Sequence, residues 1–260
     1  MPANKLRVRE AVFAVAMGAL AAGGAALILT EGDDKGEPAA TRASEQTYAV
    51  APFEEIATVG PQDVVVTLSD GYAVRSEGTP EALSRLEAVV EDGKLSIRPK
   101  NQFAGGFNWG RVAGATFYVT LPRLEAVSLA GSGDMRVDRI SGERFEGSVA
   151  GPGELAIGAM EVERADFTIA GPGNLVAAGT AGETHVSIAG SGEVRASGLR
   201  SRTASVSMAG SGDAALTVDE DARVSIMGSG DVDIAGPARC TVSRMGSGAV
   251  RCSESDNQTN

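Results

Sequence analysis

The chain has 260 residues, enough for one good domain once terminal segments are set aside. Aromatic residues make up only 4 %, so any core must be aliphatic, and 34 glycines call for a structural reason. The net charge of −11 argues against nucleic acid as a partner, because no basic stripe is available to neutralise phosphates.

Residues 1–10 carry Lys5, Arg7 and Arg9 and read as a cytoplasmic basic segment. Residues 11–30 hold no charge, and Glu31, Asp33 and Asp34 follow at once. Basic before and acidic after an apolar span puts the N-terminus in the cytoplasm and the remainder outside. The span fits an uncleaved transmembrane helix, since the apolar run continues to Leu29. It also fits a signal peptide, with Ala19-Leu20-Ala21 as the cleavage site. The remainder is then either anchored to the inner membrane facing the periplasm or exported. Residues 31–46 are acidic, include Pro38 and read as a flexible tether.

Residues 47–122 read as a cap. Residues 47–53 suit a strand entering the fold. The stretches 64–68 and 72–75 suit strands, with Ser69-Asp70-Gly71 as a turn between them. Thr79-Pro80-Glu81 is a helix start, with an N-cap, a proline at the first helical position and an acid in the first turn. The helix should be short, over residues 80–86. Asp92-Gly93 between two apolar runs predicts a hairpin, and residues 115–121 predict a strand ending at Pro122.

From residue 123 to 252 one pattern is written seven times, with its first glycine at 131, 151, 171, 190, 210, 228 and 246. A fixed period of 18 to 20 residues is the mark of a solenoid. Around Gly210, the residues Val206, Met208, Ala214, Leu216 and Val218 share one parity, and Ser205, Ser207, Asp213 and Thr217 share the other. Strict alternation is a strand with one face buried. The two glycines of each copy fall on the buried parity, which predicts a tight corner whose opposite walls leave no room for a side chain. Stacking copies roughly 4.8 Å apart buries the apolar ladders and sets Ser or Thr beside Ser along the outer face. The fold expected is all-β: a single-chain parallel β-helix behind an N-terminal cap with a hairpin and a short helix, preceded by one apolar helix. A polar tail closes the chain at 253–260.

Phe53-Glu54-Glu55-Ile56, Gly60-Pro61-Gln62-Asp63, the hairpin over 90–97, the stretch 119–129 and the Gly-Ser-Gly-Asp copies together resemble the GIN domain, the head domain of putative auto-transporter adhesins. The resemblance spans about residues 47–252. It implies a parallel β-helix in the envelope of a bacterium and transfers no catalytic residue. No translocating β-barrel is recognisable in the sequence.

Three sets of residues are candidate sites. Asp134, Glu154, Glu193, Asp213 and Asp231 occupy one position in successive copies, interrupted by Asn174 and ended by Ala249. Stacked, their oxygens could hold Ca²⁺; alternatively they solvate the edge of a turn. Phe103, Phe107 and Trp109 sit in a Gly-rich loop and suit stacking on a sugar or filling a partner pocket, or else covering the end of the core. Cys240 and Cys252 lie six residues either side of Gly246 with inward parity, which predicts a disulfide across the last coil. The single histidine, His185, has outward parity and no nucleophile near it in sequence. The reading is a non-catalytic envelope protein whose rigid surface binds envelope polysaccharides or proteins. A carbohydrate-active β-helix enzyme and a ligand-free spacer are the alternatives.

Overall fold

Met135, Leu155, Leu175, Val194, Ala214 and Val232 stand one above another in hydrogen-bond register, each 3 % exposed or less. Leu129, Val149, Ile169, Ile188, Met208 and Ile226 form the facing column. The computed structural model that shows this describes residues 44–100 and 114–253. It places every repeat in one coil of a parallel solenoid.

The strands, in chain order, are β1 (Ser44–Tyr48), β2 (Glu55–Val59), β3 (Asp63–Leu68), β4 (Ala73–Gly78), β5 (Leu86–Glu91), β6 (Lys94–Pro99), β7 (Thr116–Leu121), β8 (Ala126–Ala130), β9 (Met135–Ala150), β10 (Glu154–Gly171), β11 (Asn174–Gly190), β12 (Glu193–Gly210), β13 (Asp213–Gly228), β14 (Val232–Ala235), β15 (Arg239–Gly246) and β16 (Val250–Cys252). One helix, α1 (Pro80–Arg85), joins β4 to β5. Strands β9 to β13 each serve two sheets. The first part of β9 pairs with β3, and its last part pairs with β8. One sheet therefore runs β1-β4-β7-β3 and onward through the first halves of β9–β13 to β14 and β16. The other runs β5-β6-β2-β8 and onward through the second halves to β15. The apolar columns fill the space between them, where stacked aliphatic side chains need no aromatic bulk to close-pack.

The cap forms for the reasons its sequence states. The Thr79 side chain accepts the Ala82 amide at 3.2 Å, and Ala82 and Leu83 are buried against the sheets. Asp92-Gly93 turns β5 back antiparallel onto β6, with Asp92 itself at φ 50°. Two local features were not part of the expectation. Strands β3 and β4 do not pair across Ser69–Gly71, because β7 lies between them and bonds both. β1 begins at Ser44 and adds antiparallel to β4, so residues 44–46 are strand rather than tether. The apolar span 11–30 lies outside the described residues, and no described helix is long and apolar enough to cross a membrane.

The corner glycines are needed partly for the reason the sequence suggested and partly for another. A Cβ on Gly151 would stand 2.7 Å from the carbonyl oxygen of Gly131, and one on Gly190 the same distance from that of Gly171. At these two positions the obstacle is the backbone of the preceding coil, whereas the second glycines also meet the inner ladder, a Cβ on Gly173 standing 2.7 Å from Val149 Cγ1 and one on Gly192 2.6 Å from Ile169 Cγ2. The constraint at Gly151 and Gly190 thus acts along the stacking direction, because a Cβ on this backbone would aim at the coil below rather than into or out of the core. Both glycines also lie at positive φ, 111° and 133°.

Cys240 and Cys252 are joined by a disulfide between β15 and β16, with Cα atoms 6.7 Å apart. The bridge closes a short loop at the end of the solenoid and contributes about 3 kcal/mol at most. Arg244 replaces the aliphatic residue of earlier copies there and donates to the Gly248 carbonyl at 3.0 Å.

Candidate functional site

The expected carboxylate ladder is present as a column, but its members do different work from metal ligation. Asp134 Oδ1 accepts the amide of Glu154 in the next coil at 3.1 Å. Asp213 accepts that of Asp231 at 3.0 Å, and Asp231 accepts that of Ala249 at 2.8 Å. Where the lower residue is Glu or Asn, the amide turns to a glycine carbonyl instead. Asn174 donates to Gly153 O at 3.1 Å, Glu193 to Gly173 O at 3.1 Å and Asp213 to Gly192 O at 3.2 Å. An aspartate is just short enough to reach the amide one coil up, at the corner where the regular ladder is interrupted.

Arginines lie beside the same column. Arg195 bonds Glu193 at 2.7 Å and approaches Glu154 at 3.8 Å. Arg136 stands 3.8 Å from Asp134, and Arg251 stands 3.7 Å from Asp231. The Arg195 hydrogen bond holds the Glu193 carboxyl below its ordinary range, partly offset by desolvation. Asp134, Glu154, Glu193, Asp213 and Asp231 therefore face amides and guanidinium groups rather than one another. Among the described residues no group of three or more acidic, His or Cys side chains is placed to hold a metal ion.

One member escaped the sequence reading. Asp63 Oδ1 accepts the Asp134 amide at 2.9 Å and so begins the column. The signal was available: Gly60 and Asp63 have the spacing of Gly131 and Asp134, and Gly60 accepts the amide of Gly133 at 3.2 Å. Gln62 stands where the repeats have their second glycine. It is fully buried, and its amide donates to Thr58 Oγ1 and Val59 O, both at 2.9 Å. That substitution disguised the copy.

Phe103, Phe107 and Trp109 lie outside the described residues.

Two polar recesses lie at the corner opposite the glycine turns, while a smaller, apolar one of about 210 Å³ lies at the glycine corner, lined by Val59, Gly60, Pro61, Ala130, Gly131 and Ser132. The glycine corners stack in register, whereas the other end of each coil varies in length. The pairing slips between Ile157 and Met160, between Val176 and Ala178, and between Ala196 and Arg200. Such irregularities bend strands locally. A cleft of about 360 Å³ is lined by Glu55, Arg123, Leu124, Glu125, Ala126, Ser141, Gly142, Glu143, Arg144 and Glu146. A second, of about 610 Å³, is lined by Ser141, Gly142, Glu161, Val162, Glu163, Thr180, Ala181 and Gly182. They share Ser141 and Gly142 and form one row crossing successive coils.

The arginines of this row are occupied. Arg123 is 3.3 Å from Glu54 and 3.5 Å from Glu125. Arg144 is 3.0 Å from Asp166 and 3.7 Å from Glu146. Asp166, only 18 % exposed, also binds Arg164 at 3.1 Å, and Arg164 reaches Glu183 at 3.4 Å. His185 sits over this network on the outer face, 3.7 Å from Asp166 and 3.4 Å from Glu183. These pairs fix the flank of the cleft and leave its polar floor open to solvent.

The family model described as "Putative auto-transporter adhesin, head GIN domain" matches residues 52–238. The chain belongs to that family. Solved structures share the fold. A putative adhesin from Bacteroides fragilis NCTC 9343 superposes with a TM-score of 0.73 at 18 % identity, covering 81 % of this chain and 97 % of that one. A putative lipid binding protein from Parabacteroides distasonis ATCC 8503 gives 0.66 at 21 % identity, covering 82 % and 97 %. A putative adhesin from Parabacteroides merdae ATCC 43184 gives 0.61 at 16 % identity, with the same coverage of 82 % and 97 %. At these identities the likeness is one of fold. No curated protein matches the chain.

Proposed function

We propose that this GIN-domain chain is a non-catalytic envelope protein that binds an extended polymer or protein of the bacterial surface. The observation that carries the reading is the row of recesses crossing successive coils, from Glu125 and Ser141 to Glu161 and Thr180. An extended ligand needs repeated contacts at a fixed spacing. A solenoid supplies them because its coils are held rigidly in register. Family membership supports the adhesive role, and a disulfide suits an oxidising compartment outside the cytoplasm. An inner-membrane anchor or a cleaved leader over residues 11–30 would deliver the domain there.

A carbohydrate-active enzyme is the less supported reading. A lyase-like site needs a basic residue facing substrate. Arg123 and Arg144 instead form ion pairs with neighbouring carboxylates.

The test is binding of the full chain to a panel of bacterial and host polysaccharides, with S141W alongside. Ser141 belongs to both clefts, so a tryptophan there obstructs both. Binding that S141W abolishes supports the proposal. Binding that S141W leaves intact moves the site elsewhere and contradicts it.

A further inference from the structure

The two ends of the solenoid are built differently. At the N-terminal end, α1 packs against β1, β4 and β5 and buries Ala82 and Leu83. At the C-terminal end, among the described residues, β15 pairs only with β13, and β16 only with β14. β15 is exposed along nearly its whole length. The three exposed large apolar side chains among the described residues, Met227, Val242 and Met245, gather there. Residues 239–252 carry Arg239, Arg244 and Arg251 and no acid, in a chain of net charge −11. An unpaired strand edge is a template for further pairing, and it is usually blunted when none is intended.

The strands at the other end that have one pairing neighbour among the described residues carry the opposite sign. β1 carries Glu45, and β5 carries Glu87 and Glu91. We propose that the C-terminal end of one copy docks on the N-terminal end of a second copy, head to tail, so that both sheets continue across the junction.

The registers decide how the edges would meet. In one sheet, the column that starts at Val90 runs through Leu95, Ile56, Val127 and the later coils to Val242. Continuing that column sets Val90 of the second copy over the exposed Val242. It sets Glu91 over Thr241, two residues along the strand from Arg239. In the other sheet, the column of Thr47 runs to Arg251, so Thr47 of the second copy lies over Arg251 with Glu45 two residues along. Long side chains reach such diagonal neighbours.

Sign alternation also favours this pairing. Arg239 already has Asp221 beneath it at 3.1 Å, and Arg251 has Asp233 at 3.2 Å. Glu45 has Arg75 above it at 3.7 Å, and Glu91 has Arg98 at 3.9 Å. Head-to-tail contact keeps the charges alternating through the junction. Joining two C-terminal ends would set arginine against arginine. A heterologous contact of this kind does not close on itself, so it builds rods rather than dimers.

Sedimentation velocity of the purified full-length chain, in one detergent throughout, tests this. The expected result is assembly beyond a dimer that grows with protein concentration and shrinks with added salt. R239E/R251E and E45R/E91R should each lose assembly, and their equimolar mixture should regain it. Regain on mixing also shows that both variants are folded. A monomer at every concentration, a discrete dimer indifferent to E45R/E91R, or a mixture that stays dispersed would each overturn the proposal.

Discussion

Asp231 Oδ1 accepts the backbone amide of Ala249 at 2.8 Å, one coil further along the chain. The same bond links Asp63 to Asp134, Asp134 to Glu154 and Asp213 to Asp231. An aspartate after the glycine turn therefore acts as a rung of the solenoid, and length matters more than charge. D231N keeps an acceptor oxygen in place and should change stability little. D231E, one methylene longer, should cost about 0.5–1.5 kcal/mol, the net worth of one such bond. Urea unfolding of the two variants checks this. Because these carboxylates do not converge, the melting temperature should be equal in calcium and in chelator.

The glycine columns give a contrast within one motif. G190A places a methyl group 2.7 Å from a carbonyl oxygen that belongs to a stacked backbone. G171A meets nothing nearer than 3.5 Å, although its φ of 110° still strains an alanine. G190A should therefore be the more destabilising by a clear margin, or should prevent folding. Equal effects in thermal melts would mean that backbone strain, not coil spacing, selects the glycines.

Gly147 replaces the valine of most copies because Phe167 is its neighbour in the next coil. A Cβ there would lie 3.2 Å from the Phe167 ring and 3.1 Å from Leu155. Phe167 in turn packs edge-on against Phe145 with centroids 6.4 Å apart. G147V should overpack this layer and cost about 1–3 kcal/mol. G147V/F167V restores the common pattern and should recover part of the loss. Denaturation midpoints of the two variants measure both effects.

Much of this was legible in advance, and the reasons differ by element. The coil period, the helix after Thr79 and the turn at Asp92-Gly93 each rest on local backbone demands that few residue types meet. The Asp63 copy was hidden because Gln62 breaks the glycine pattern while keeping the geometry. The order β4-β7-β3 was not legible, since strand neighbours so far apart in sequence, such as Asp63 and Thr116, leave no local mark. The clefts were invisible for the same reason. They lie where the variable corners of neighbouring coils meet, and such a space belongs to two coils at once rather than to either sequence.

The Glu193 carboxyl lies below its ordinary range because of the Arg195 hydrogen bond. A group whose folded pKa is depressed contributes stability above its unfolded pKa and loses that contribution as pH falls through the folded value. The effect should be small, because the Glu193 side chain is 40 % exposed and screened by water. R195A should raise the Glu193 titration midpoint toward that of a free glutamate. It should also flatten the acid limb of the stability profile near that pH. Carboxyl NMR titration of both proteins reads the shift directly.

The measurement that bears most directly on the proposed function is amide hydrogen exchange of the full chain with and without a polysaccharide it binds. Protection should concentrate at 141–146, 161–163 and 180–182, along the row of recesses. Protection confined to residues 103–109, or to the glycine corners on the opposite side, would contradict a binding surface at these clefts.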